Sequence, residues 1–124
     1  MIFFFYNRDM KDKEKQKIAA RNHYLANKER MKTKAKIWTK NQIVVNKKTI
    51  RDHLESHPCL DCGESNLMVL DFDHIRDKTI AVGEAVTRGW STNKLLEEIS
   101  KCEVRCANCH RIKTYERAGW TKYN

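Results

Sequence analysis

Long apolar runs are missing from this 124-residue chain, and no stretch approaches the ~20 residues that a membrane span needs. The opening Met1–Tyr6 (MIFFFY) is apolar but too short for a signal-peptide core, and charge follows from Arg8. It reads as a hydrophobic flap that docks on the domain or contacts a partner. Cysteine is scarce and odd in number, five in all, which argues against a secreted disulfide framework. Aromatic-rich stretches that could stack single-stranded bases are also missing, which argues against an RNA-binding zinc protein. Acidic residues are few at one end: residues 1–51 hold four Asp/Glu against fifteen Lys/Arg, whereas residues 52–124 hold twelve against ten. The expectation is a soluble, cytoplasmic, non-membrane protein whose polycationic end meets phosphate.

Glycine and proline are absent from Lys11 to Lys36, where Ala, Lys, Glu, Arg, Gln and Met dominate. That composition predicts a helix. Its apolar stripe of Ile18, Tyr24 and Leu25, with the stem of Arg21, is thin for a core helix and points to nucleic acid as the surface it lies on. Tyr24-x-x-Asn27 returns as Trp38-x-x-Asn41 about four helical turns later. Ile43-Val44-Val45 predicts a short strand or a helix boundary, and Thr49 to His57 a second short helix ended by Pro58. A strand follows over Leu67 to Ile75, then a loop from Arg76 to Trp90. Ser91 or Thr92 caps a helix with Leu95, Leu96 and Ile99 on one face. Cys102 to Arg105 is extended, and Cys106 opens a last helix that runs to about Ala118 and stops at Gly119. These elements make an α+β chain: a basic helical extension over 1–55, and a small domain over 56–124 that needs a staple to be stable.

What is present in quantity enough to staple it is two Cys-x-x-Cys pairs, Cys59/Cys62 and Cys106/Cys109. Each suits one thiolate knuckle of a tetrahedral zinc site, and four thiolates leave no open position for water. Gly63 follows the first knuckle, where the turn wants a positive φ. His57 or His110 could substitute as a ligand, though neither is needed, and Cys102 is left as a buried free thiol.

Chemistry beside such a staple falls to Asp73, His74 and His110. A carboxylate and an imidazole (Asp73, His110) can hold a divalent cation and leave room for water and phosphate. A second, neutral imidazole (His74) can take a proton from the attacking water near neutral pH. Strand alternation opposes this arrangement, because Met68, Leu70 and Phe72 place His74 on the apolar side and Asp73 on the exposed one. A bend at Arg76-Asp77-Lys78 would bring the two side chains towards one cleft.

The order Cys-x-x-Cys, Asp-His-Ile, Cys-x-x-Cys-His-x-x-Lys, over roughly residues 57–117, resembles the HNH endonuclease family of ββα-metal (treble-clef) fold. It is also similar in layout to phage endonucleases that resolve branched DNA. The resemblance implies structural zinc on the four cysteines and a catalytic cation (magnesium or manganese, with zinc or nickel as alternatives) on Asp73 and His110. It further implies His74 as general base and double-stranded DNA as substrate, in a bacterial or phage-infected cell. Arg111, Lys113 and Lys101, with Arg21, Lys28, Arg30 and Lys34 of the extension, are the expected DNA contacts. The family's middle asparagine falls at Lys101 here. That departure keeps open an alternative, a catalytically inactive zinc-stapled DNA-binding or adaptor module.

Overall fold

The structure, a computed structural model, describes residues 2–119 and Tyr123, with side chains from Lys11 onward. The side chains of the expected Met1–Tyr6 flap lie outside the described residues. The elements are α1 (Ile2–Glu55), a 3-10 turn (Leu67–Val69), β1 (Leu70–His74), α2 (Val82–Thr87), α3 (Thr92–Ile99), β2 (Cys102–Cys106) and α4 (Ala107–Ala118). The chain forms two compact units, residues 1–38 and 39–124. The expected division at 55/56 coincides with the end of α1, and the second unit takes in the last turns of that helix as well. No described helix is long and apolar enough to cross a membrane.

In the first unit, the helix from Lys11 carries ten Lys/Arg against Asp12, Glu14 and Glu29 up to Trp38. Ile18, Tyr24, Leu25, Met31, Ile37 and Trp38 are all exposed. Contacts among the described residues here include Asn27 Nδ2 donating to the His23 carbonyl at 2.8 Å and the Lys28 ammonium 5.9 Å from the Tyr24 ring.

In the second unit, α1 continues unbroken through the Ile43–Val45 stretch and past Thr49, so neither the expected strand nor a separate short helix exists. Ile43, Asn46, Ile50 and Leu54 recur at helical spacing, and that face is what holds the segment helical. Ile43 and Ile50 pack against a cluster of Ile80, Val82, Ala85, Val86, Leu95 and Ile99. Asn46 is fully buried; its amide donates to the Trp90 carbonyl (2.9 Å) and its oxygen accepts from Gln42 (3.0 Å). Helix propensity penalises β-branched residues by only tenths of a kcal/mol, roughly, and burial of this face outweighs it.

β1 and β2 pair antiparallel in a two-stranded sheet, with Leu70 opposite Cys106, Phe72 opposite Val104 and His74 opposite Cys102. A second cluster of Leu54, Cys59, Leu70, Val104 and Cys106 fills the space between the sheet and the end of α1. The expected strand over 67–75 begins as a 3-10 turn because Asn66 Oδ1 accepts from the Met68 amide. The expected loop over 76–90 contains α2, which the sequence conceals because its N-cap, Ala81, offers no side-chain cap. Ser91 caps α3 as expected, but the buried face of α3 is Leu95, Glu98 and Ile99, and Leu96 is exposed.

The turn between α2 and α3 touches α1 at Gly89, which sits at φ +69°; a Cβ there would lie 2.9 Å from Thr39 Cγ2. Gly89→Ala should therefore destabilise the second unit by about 1–3 kcal/mol. Thr39→Ser, which removes the opposing methyl, should recover part of that loss in a double-mutant cycle read by thermal unfolding. Full additivity of the two changes would show that the close approach does not exist.

Candidate metal centre and the cleft beside it

The first knuckle is built from hydrogen bonds around a turn: the Cys59 amide donates to the Glu64 carbonyl (2.8 Å), and the Gly63 amide to that of Cys59 (2.9 Å), with Gly63 at φ +77°. The second forms because Cys106 is both the last residue of β2 and the N-cap of α4, its Sγ accepting from the Cys109 amide at 3.4 Å. Together the four Sγ atoms lie within 4.8 Å of one another. Tetrahedral Zn–S bonds of about 2.3 Å require S···S separations near ~3.8 Å, and Cys62 and Cys106 stand 3.7 Å apart. That distance is far beyond a disulfide bond of ~2.05 Å.

The thiols are in conflict when no cation is present. Burial pushes Cys59 up, but backbone hydrogen bonds from Cys106, Cys62 and Asp61 outweigh it and hold this thiol at about 6. Cys109 moves the other way, first through its hydrogen bond with Cys106, then through burial and its contacts with Cys62 and Cys59. Four sulfurs gathered in one small space suit a shared divalent ion, which binds them as thiolates. The donor set therefore fits a structural metal such as zinc. His57 and His110 are not members of the cluster; His57 stacks on His53 instead, with ring centroids 3.9 Å apart.

α4 leaves the second knuckle across the acidic face of β1, which bears Asp71 and Asp73. Here the structure corrects the expectation of an exposed Asp73: its side chain is 4% exposed, and both oxygens are gripped. Arg105 Nη1 donates to Oδ2 at 2.8 Å, and Arg117 donates to Oδ1 and Oδ2 at 2.9 Å each. Burial alone would raise this carboxyl; Arg117, then His110 and Arg105, bring it below its ordinary value. Arg105 also binds Asp61 in the first knuckle and Glu103 beside it on β2. Arg105 and Arg117 escaped the sequence reading, although a basic residue at the acid's cross-strand diagonal is the signal that could have found Arg105.

His110 lies between the two acids. Its Nδ1 is 3.2 Å from Asp71 Oδ2, and its Nε2 is 3.5 Å from Asp73 Oδ1. Asp71 is about half exposed, and it missed notice as a site residue in the sequence. Among the described residues, Asp71, Asp73, His74 and His110 do not converge as a metal cluster in the way the four cysteines do.

His74 occupies the apolar face at the end of β1, as strand alternation requires. Its Nε2 meets Glu98 Oε1 at 2.9 Å. Lys101 holds the other Glu98 oxygen at 2.9 Å and Thr79 Oγ1 at 3.1 Å. With its side chain only 14% exposed, Lys101 is not placed to meet phosphate. Among the described residues β1 has β2 on one side only, and a cleft of about 470 Å³ runs along its outer edge. Because the cleft follows an edge, residues from both faces line it, including Asp71, His74, Lys78 and His110. Asp73 does not reach it. A second cleft of about 480 Å³ shares Asp71 and His110 and continues over Arg111, Thr114 and Tyr115 of α4. Lys113 points elsewhere and pairs with Glu116 at 3.6 Å. Arg21, Arg30 and Lys34 are exposed on α1, and Lys28 is half-buried against its own helix.

Chelation at neutral pH should abolish the cooperative thermal transition of the second unit, since metal binding at such sites supplies on the order of 10 kcal/mol of folding free energy. Cys59→Ser should do the same without chelator. Near-UV circular dichroism with metal analysis is the readout, and an unchanged transition after complete metal removal would refute a structural ion.

Comparison with protein-family models, curated proteins and solved structures finds no match to this chain.

Proposed function

We propose that this chain is a metal-dependent endonuclease of the HNH family, a ββα-metal (treble-clef) domain that hydrolyses phosphodiester bonds in double-stranded DNA. The observation that carries the reading is the β1 edge cleft, where Asp71, His74 and His110 line one opening beside the four-cysteine cluster. The strand, strand, helix order of β1, β2 and α4 agrees with it. A divalent cation bound there would neutralise charge on the scissile phosphate and on the leaving oxygen.

The residues that would hold this cation are His110 and Asp71, a nitrogen and a carboxylate oxygen 3.2 Å apart and partly exposed. Asp73 could join them only if Arg117 let go of its carboxylate. His74 takes a proton from a water molecule while the water oxygen bonds to phosphorus; the P–O bond opposite breaks, and the departing oxygen takes a proton from solvent. Arg111, at the rim of the second cleft, would neutralise an adjoining phosphate. The cationic helix of the first unit would track the duplex backbone through Arg21, Lys28, Arg30 and Lys34, contacts that set affinity and salt dependence without reading sequence.

The double arginine grip on Asp73 favours a second reading, an inactive metal-stapled DNA-binding module, and plasmid cleavage decides between them. With magnesium or manganese, the wild-type chain should nick plasmid DNA, and His74→Ala should slow it by roughly 10²–10⁴-fold. Absence of cleavage with either metal would retire the nuclease and favour the inactive module. Asp71→Asn should weaken activation by manganese while leaving the melting temperature unchanged. Asp73→Ala should instead cost stability, about 3 kcal/mol, because it takes a buried carboxylate partner from the buried Arg105 guanidinium and releases Arg117.

Replacing Arg21, Lys28 and Arg30 with glutamine should flatten the slope of log affinity against log salt by about 2.7, at roughly 0.9 for each phosphate that is no longer neutralised. An unchanged slope in a filter-binding or anisotropy series would remove the helix from the DNA interface.

A further inference from the structure

Glu98 is a buried carboxylate that the proposed chemistry does not yet use. It sits on the inner face of α3, its side chain 2% exposed, and four donors surround it. Oε1 accepts from the Thr79 amide (3.0 Å) and the Ile80 amide (3.3 Å), and faces His74 Nε2 at 2.9 Å. Oε2 accepts from the Lys101 ammonium at 2.9 Å. Burial opposes its charge, but Lys101, the Thr79 amide, His74 and the Ile80 amide outweigh burial and hold the group at about 2. Glu98 is therefore ionised near neutrality, and an ionised carboxylate only accepts.

That fixes the tautomer of its neighbour. Every group in contact with an acceptor-only oxygen must donate, so His74 Nε2 must carry a hydrogen. In a neutral imidazole one nitrogen donates and the other accepts, which leaves the lone pair on Nδ1. The opposite tautomer would aim a lone pair at a negative oxygen in a buried setting, where such repulsion is poorly screened. His74 lines the β1 edge cleft while Glu98 does not. Nε2 is thus turned inward, and Nδ1 has no protein partner among the described residues.

We infer that Glu98 is the positioning residue of His74, holding the imidazole with Nε2–H inward and Nδ1 as the accepting atom, and that Lys101 is the counter-charge that keeps Glu98 an acceptor. Resting on the nuclease reading, this makes Nδ1 the atom that takes the proton from water, and Glu98 the group that steadies the imidazolium formed. Lys101 serves the site from beneath rather than by gripping substrate.

Long-range proton–nitrogen correlation spectra of the ¹⁵N-histidine-labelled, metal-loaded full chain, followed upward in pH until the His74 ring is in its neutral form, read the tautomer directly. His74 should show a single form protonated at Nε2. A mixture, or the form protonated at Nδ1, overturns the inference. Glu98→Gln keeps an accepting oxygen and should preserve both the tautomer and cleavage to within about tenfold. Glu98→Leu should mix the tautomers and lower kcat roughly 100-fold, as loss of an oriented base does, with KM for plasmid little changed. A folded Glu98→Leu chain with wild-type spectrum and kcat would reduce Glu98 to a structural plug. If that variant fails to fold, the wild-type and Glu98→Gln spectra still decide. Failure of the nuclease reading is distinguishable: a chain that cuts nothing yet shows the Nε2–H form retires the enzyme and keeps the pair, and a chain that cuts with the other tautomer does the reverse.

Discussion

One constraint organises the second unit: four sulfurs, two from each end of a long excursion of chain, meet at one point. Everything between Cys62 and Cys106, namely β1, α2, α3 and β2, lies inside the loop they close. Joining ends so far apart in sequence removes chain entropy from the unfolded state, and a domain this small has little core to substitute for it. Cys59 and Cys106 also belong to the apolar cluster with Leu54, Leu70 and Val104, so the metal centre and the core are one packing unit. The cluster sets the direction of α4 as well. Cys106 caps that helix, and His110 follows Cys109 directly, so the four-cysteine cluster delivers His110 to the acidic face of β1.

β1 then divides the chemistry by its pleat. Its even-numbered residues, Leu70, Phe72 and His74, face the apolar side, where Glu98 rises from α3 to meet the histidine. Its odd-numbered residues, Asp71 and Asp73, face α4. Only the open edge of the strand lets groups from the two sides share a cleft. A third strand there would bury that edge, which is a reason for a sheet of two.

Much of this was legible in the residues. The cysteine pairs, the capped α3, Gly63 and Gly119 at positive φ, and the extended segments before each site carry local signals that tertiary structure did not override. The misreadings share a cause, which is that burial was decided by partners distant in sequence. Ile43-Val44-Val45 suggested a break because its composition favours strands, yet Ile43 and Ile50 find α2 and α3 to pack on, and Leu54 finds the sheet. Asp73 was expected at the surface because its strand alternates, but α4 covers that face and brings Arg117. Glu98 stood unnoticed among ordinary helix charges, since nothing local tells a buried glutamate from an exposed one. Lys101 looked anomalous at the place of the resembled family's asparagine; beside Glu98 it has a plain electrostatic reason to be there.

The two aspartates of β1 are chemically alike and differ only in company, and that difference bears on which could serve a cation. Two singly charged groups about 4 Å apart interact by ~4 kcal/mol at an effective dielectric near 20, so a divalent ion that close to Arg117 meets roughly twice that in repulsion. Arg105 adds to it, and because Arg105 is buried and tied to Asp61 and Glu103 as well, it has nowhere to go. Asp73 in this setting is already neutralised twice over and has little attraction left for a metal. Asp71, one pleat away, shares a hydrogen bond with His110 and opens to both clefts. The buried acid is thus spent on fastening α4 and β2 to β1, and the exposed one meets His110 at the mouth of both clefts.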